Sequence, residues 1–175
     1  MLHNYMKIDL LQYKSLETNG EFFGYACTFN NQDDVGDIIL PGAFAETIRS
    51  QSHLVLLWQH DQKEPIGYIT KFKEDLIGLY IKKFIMQLKR AAYALIAAGV
   101  IKGLSTDYLI EDYFHDGTIR YIKKIKLIEI SVVTFPANRQ AMIEDVKLNH
   151  KYLKLLSSIK RALNTLAINK EIINI

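Results

Sequence analysis

The chain has 175 residues, 49% hydrophobic and 23% charged, which fits one soluble globular domain with an appendage and excludes disorder throughout. Against 22 Lys+Arg stand 19 Asp+Glu, and the resulting net charge of +3 is too small to be a nucleic-acid signature by itself. The single cysteine, Cys27, excludes an internal disulfide framework and any zinc site built on several cysteines, and it points to a reducing compartment.

Residues 1–11 carry His3, Lys7 and Asp9 and lack the uninterrupted apolar stretch of a secretory signal. No segment approaches the roughly 18 apolar residues of a membrane span, so a cytosolic protein is expected. The aromatic-rich residues 21–29 predict a strand, with Gly24 at a bulge or a close contact. A polar turn at 30–34 leads to a short extended piece at 35–40. Pro41 and Gly42 then open a short helix to residue 50, where Phe44 and Ile48 recur at helical spacing. The continuous apolar run 54–58 predicts a strand buried on both faces. Further strands are expected at 66–72 and 78–85, with a turn at Glu74 and Asp75.

Residues 87–98 form the best helix of the body, with Ala91, Ala94, Leu95 and Ala98 on one face and Gly99 as its stop. A strand follows at 104–111, then a turn at His115, Asp116 and Gly117. Residues 118–134 are extended, and Pro136 ends that run. A short helix is expected at 137–146. Beyond it Tyr152, Leu155, Leu156, Ile159, Leu163 and Leu166 follow helical spacing among lysines. The expected organisation is a body at 1–146 and a basic amphipathic helical tail at 147–175. The tail holds six Lys+Arg and one Glu, a net +5, while the body holds 16 against 18, a net −2. The overall fold class is mostly β with helices packed around the strands.

Three residues could carry chemistry. His60 ends the apolar run at 54–58 and could serve as a general base or merely cap a strand. Ser105 follows Gly103 at the start of a strand and could be a nucleophile or an ordinary turn serine. Gly103 could let the backbone approach a substrate closely. Glu129 lies within an apolar strand, where a buried carboxylate needs a partner such as a histidine, unless that face is open to water. Period two puts Ser131 on the same face as Glu129. His53 and His115 are alternative third members of a triad. Asp33, Asp34 and Asp37 could bind a cation, although their spacing is not that of an EF-hand and a solvated turn is the simpler reading. Cys27, among aromatic residues and with no nearby basic residue, reads as a packed, inert thiol.

Four stretches in fixed order carry a family resemblance. They are Asp34-Val35-Gly36-Asp37-Ile38-Ile39-Leu40-Pro41-Gly42-Ala43-Phe44, Leu57-Trp58-Gln59-His60-Asp61 with Pro65-Ile66-Gly67, Gly103-Leu104-Ser105, and Glu129-Ile130-Ser131-Val132-Val133-Thr134-Phe135-Pro136-Ala137-Asn138. With Arg90-Ala91-Ala92-Tyr93 before the serine, residues 22–146 resemble the caudovirus prohead serine proteases of tailed phages. The resemblance implies a small β-barrel surrounded by helices, as in the herpesvirus assemblins. It implies a serine endopeptidase of capsid maturation, acting on major capsid protein or scaffold segments within the assembling prohead in the host bacterial cytoplasm, with self-cleavage left open. Neither metal nor cofactor is implied, nor specific nucleic acid or membrane.

By the same resemblance Ser105 is the nucleophile, His60 the general base and Glu129 the third member, where assemblin-like enzymes use a second histidine. Arg139 is a candidate oxyanion donor through its backbone or side chain. Relatives follow the serine with an apolar residue and glycine, whereas Thr106-Asp107 stand here. That departure supports a second reading, a protease-fold scaffolding or assembly protein with weak or lost activity. Lys123-Lys124 and the lysines of the tail suggest a third, nucleic-acid binding, which no motif supports. The tail helix could mediate a homodimer, pack on its own barrel, anchor the enzyme to scaffold or dock on the capsid interior.

Overall fold

Alternating apolar side chains drive most of the chain into strands. The computed structural model describes residues 18–86 and 90–148, together with Ser158 and Arg161. In chain order come β1 (Thr18–Thr28), β2 (Asp37–Ile39), α1 (Ala45–Ser50), β3 (Leu54–Trp58), β4 (Asp61–Glu74), β5 (Gly78–Met86), α2 (Arg90–Ala97), β6 (Gly103–Asp116), β7 (Ile119–Val133) and β8 (Ile143–Leu148).

The long strand β7 organises the sheet. Along one edge it pairs antiparallel with the whole of β6, and along the other it takes β2 and then β3 in parallel. From β3 the sheet continues antiparallel through β4, β5, β1 and β8. Its core buries Phe22, Leu56, Ile69, Ile81, Leu104, Ile125 and Ile130. Each such side chain removed from water contributes about 1.5–3 kcal/mol, which is what binds the strands into one core.

Three expectations need correction. The strands do not close into a fully paired barrel. The edges of β6 and β1 are separated by the segment 137–142, whose carbonyls accept from both in place of a direct ladder. Leu104 N–H donates to Ala141 O at 2.8 Å, and Tyr25 N–H donates to Met142 O at 3.1 Å. Gly24 allows that approach, because a side chain there would collide with the Met142 carbonyl. The helix expected at 137–146 is instead the strand β8, which covers the exposed edge of β1 and satisfies its backbone groups. The run 54–58 is not buried on both faces, since Val55 is 46% exposed.

The helix expected at 41–50 is regular only over α1. Its first turn is capped from outside, the Glu74 carboxylate accepting the Phe44 N–H at 2.7 Å. Of the tail expected at 147–175, Lys147 and Leu148 belong instead to β8, and the rest falls outside the described residues, apart from helical Ser158 and Arg161.

Candidate active site

The site begins with a register change in β7. Leu127 pairs with Tyr108, but Glu129 already pairs with Asp107, so Ile128 is an extra residue, a β-bulge. Leu127 consequently lies in the core at 1% exposure, while Ile128 turns out to solvent. From there the alternation restarts: Ile130 and Val132 face the core, and Glu129 and Ser131 share the other face. Strict period two would have kept Glu129 on the face of Leu127. The Glu129 face is not open to water, for Glu129 is 6% exposed and Ser131 fully buried.

A buried carboxylate demands partners, and Glu129 has one on each oxygen. Its Oε1 lies 2.5 Å from His60 Nδ1, and its Oε2 accepts the Ser131 hydroxyl at 2.9 Å. An ionised carboxylate only accepts, so Nδ1 carries the proton and Nε2 is left as the basic nitrogen. The His60 side chain is 43% exposed and therefore reachable.

His60 is aimed by an unusual turn. Gln59 and His60 both adopt left-handed backbone, φ 53° and 60°, in a loop joining β3 to β4. Such conformations cost about 1–3 kcal/mol per non-glycine residue and persist only when surroundings hold them. Here the surroundings do. Gln59 N–H donates to Val132 O at 2.9 Å, and the Gln59 side chain brackets Thr134, donating to its Oγ1 at 2.8 Å and accepting its N–H at 3.2 Å. The His60 N–H donates to Ser131 Oγ at 3.1 Å.

Ser105 stands on β6 directly opposite Ser131 of β7. Opposed residues project on the same face with Cβ atoms about 4.5–5.5 Å apart, so the Ser105 hydroxyl shares the face of Ser131 and Glu129. No hydrogen bond joins Ser105 to His60 in this structure, a looseness common before substrate binds. Gly103 serves packing rather than substrate approach: a Cβ there would lie 2.6 Å from Val133 O and 2.9 Å from Pro136. Asp107, two residues beyond Ser105, is exposed and pairs across from Glu129. A cavity of about 290 Å³ opens where β6 and β1 part, lined by Cys27, Asp33, Ser105, Tyr108, Arg120 and Asn138 among others.

The side chains of the other candidates are held by other partners. The Arg139 guanidinium is exposed and engages Asp34, Nε to Oδ1 at 2.9 Å. His53 contacts Ser52, and His115 packs edge-on against Tyr113 near the far end of β6. Asp37 is held in a bidentate pair by Arg120, at 2.8 and 2.7 Å, which fastens β2 to β7. Burial pushes the Cys27 thiol up to about 12. Sequence reasoning overlooked Lys83. It is fully buried on β5 with its Nζ 4.2 Å over the Phe22 ring and no hydrogen-bond partner among the described residues. Burial holds its pKa well below the ordinary range, against the opposing pull of Glu129. The signal was available, since Lys83 continues the inward series Leu79 and Ile81.

Comparison with known proteins adds to this geometry. A family model described as caudovirus prohead serine protease matches residues 9–161. The prohead protease of Enterobacteria phage HK97 is 40% identical over 136 residues, covering 73% of this chain and 60% of that protein. The prohead protease of Escherichia phage T5 is 30% identical over 124 residues, covering 67% of this chain and 59% of that one. The chain thus spans about 60% of the length of these relatives. Among solved structures, the bacteriophage T4 capsid assembly protease superposes with a TM-score of 0.54 at 15% identity, covering 66% of this chain and 82% of that chain. The protease of Kaposi's sarcoma-associated herpesvirus, bound to a hexapeptide phosphonate inhibitor, gives 0.54 at 10% identity, covering 76% and 67%. At these identities the likeness is one of fold.

Proposed function

Because the chain belongs to the caudovirus prohead serine protease family, we propose that it is a serine endopeptidase of capsid maturation, cutting capsid-protein or scaffold segments within the assembling prohead in the host cytoplasm. The observation that carries the reading is the pairing of His60 with buried Glu129 on the face that Ser105 shares.

In this reading Ser105 attacks the scissile carbonyl and His60 Nε2 takes its proton. The imidazolium then gives that proton to the leaving amine, and a water repeats the sequence to free the acyl group. Glu129 keeps Nδ1 protonated and stabilises the imidazolium. Arg139 is the proposed oxyanion donor through its backbone N–H, because its guanidinium is occupied by Asp34. The basic tail at 147–175 would dock on the capsid interior or on a second copy of the chain.

One observation favours a second reading, an assembly protein with weak or lost activity: Asp107 places a second carboxylate across from Glu129, beside the nucleophile. The test is co-expression with the cognate capsid protein and scaffold, comparing the parent with Ser105→Ala. Serine-dependent fragments in the mass spectrum support the protease, and identical fragment patterns overturn it.

A further inference from the structure

We propose that Ser131 is a positioning residue of this site, its hydroxyl coupling the backbone of His60 to the carboxylate of Glu129. The inference rests on the reading of Ser105, His60 and Glu129 above.

A serine hydroxyl has one proton and two lone pairs. The Ser131 proton goes to Glu129 Oε2, and a lone pair receives the His60 N–H. Both ends of the His60–Glu129 contact therefore hang from one atom on a rigid strand. Ser131 is fully buried, so water does not compete for it. The arrangement also separates the two serines of the site. Ser131 has committed its proton and lies out of reach of a peptide, whereas Ser105 is partly exposed and lines the cavity.

Loss of the hydroxyl would act twice. The left-handed backbone at His60 would lose the acceptor that holds its N–H. The Glu129 carboxylate would be free to rotate and carry Oε1 away from Nδ1. Misplacing a catalytic group by about 1 Å can cost on the order of 100-fold in rate.

The test needs no known substrate. A fluorophosphonate probe forms a bond from Ser105 Oγ to phosphorus, expels fluoride and leaves the hydroxyl proton with His60. Ser131→Ala should label about 10- to 100-fold more slowly than the parent, while Ser131→Thr, which restores a hydroxyl, should recover most of the rate. The downfield proton NMR signal of the His60–Glu129 contact should shift or vanish in Ser131→Ala and return in Ser131→Thr. Parent-like labelling and an unmoved signal in Ser131→Ala overturn the proposal. So does a folded Ser131→Thr as slow as Ser131→Ala. If the alanine variant does not fold, Ser131→Cys preserves volume with a weaker donor, and a parent-like rate there is equally fatal. Ser105→Ala is the separate control: if it labels like the parent, the reading of the site fails rather than the role of Ser131.

Discussion

His60 Nδ1 and Glu129 Oε1 lie 2.5 Å apart, one on a reachable loop and the other on a buried strand. The contact sets the tautomer of the imidazole and leaves Nε2 as the base. Glu129→Gln keeps the shape but can present an amide N–H to Nδ1, favouring the wrong tautomer. We expect kcat/KM to fall about 10²- to 10⁴-fold, and less than in Ser105→Ala. If Glu129→Gln is silent while His53→Ala or His115→Ala is crippled, the carboxylate is not the third member.

Much of this site is legible in the residues themselves. A carboxylate in an apolar strand and a histidine at the end of another already name each other as partners. Their geometry is not legible, because two non-periodic features create it. The bulge at Ile128 moves Glu129 to the face opposite Leu127, and it leaves no mark in composition. The left-handed turn at Gln59 and His60 contains no glycine to announce it and exists only because Val132, Thr134 and Ser131 hold it. The run 137–146 predicts a helix rather than β8 for a similar reason, since the pairing of β8 is decided by a vacant edge more than 100 residues away in the chain.

Lys83 marks a stability cost inside the same core. Its amine is buried without a hydrogen-bond partner among the described residues, and its pKa is lowered in the folded state. The folded chain therefore binds fewer protons here than the unfolded chain once the pH falls below the ordinary lysine value. The penalty is absent above that value and grows as the pH falls toward neutrality. Lys83→Met should raise stability on the order of 1–3 kcal/mol near pH 7, the cost of an unsatisfied buried polar group, and by less at pH 11. Denaturant melts at the two pH values decide it; a destabilised Lys83→Met at pH 7 would contradict the assignment.

Cys27 is the lone thiol and sits 1% exposed in the core. Burial raises its pKa to about 12, so almost no thiolate exists near pH 8. Iodoacetamide should leave it unmodified in the native protein and modify it in step with urea unfolding. Rapid alkylation of the folded chain would show that the β1 region opens on its own.

Asp107 separates the two functional readings. It stands across from Glu129, where like charges oppose each other by about 0.2–1 kcal/mol. Asp107→Asn should gain a stability increment of that size without slowing fluorophosphonate labelling. If the parent fails to label and Asp107→Gly does label, the natural protein is the assembly factor of the second reading, silenced by this side chain.

Arg139 tests the oxyanion assignment from the other side. Its guanidinium is 82% exposed and bound to Asp34, so the side chain is committed away from the reacting carbonyl. A solvent-exposed pair of this kind contributes only about 0–1 kcal/mol to stability. Donation through the backbone N–H survives truncation of the side chain. Arg139→Ala should therefore lower kcat less than about tenfold, whereas loss of a true oxyanion donor typically costs 10²–10³. Asp34→Ala gives the complementary measurement. It frees the guanidinium without touching the backbone, and it should leave kcat at the parental level if the N–H is the donor. A large loss in Arg139→Ala, with Asp34→Ala unaffected, would assign the oxyanion role to the guanidinium and show that it leaves Asp34 when substrate binds.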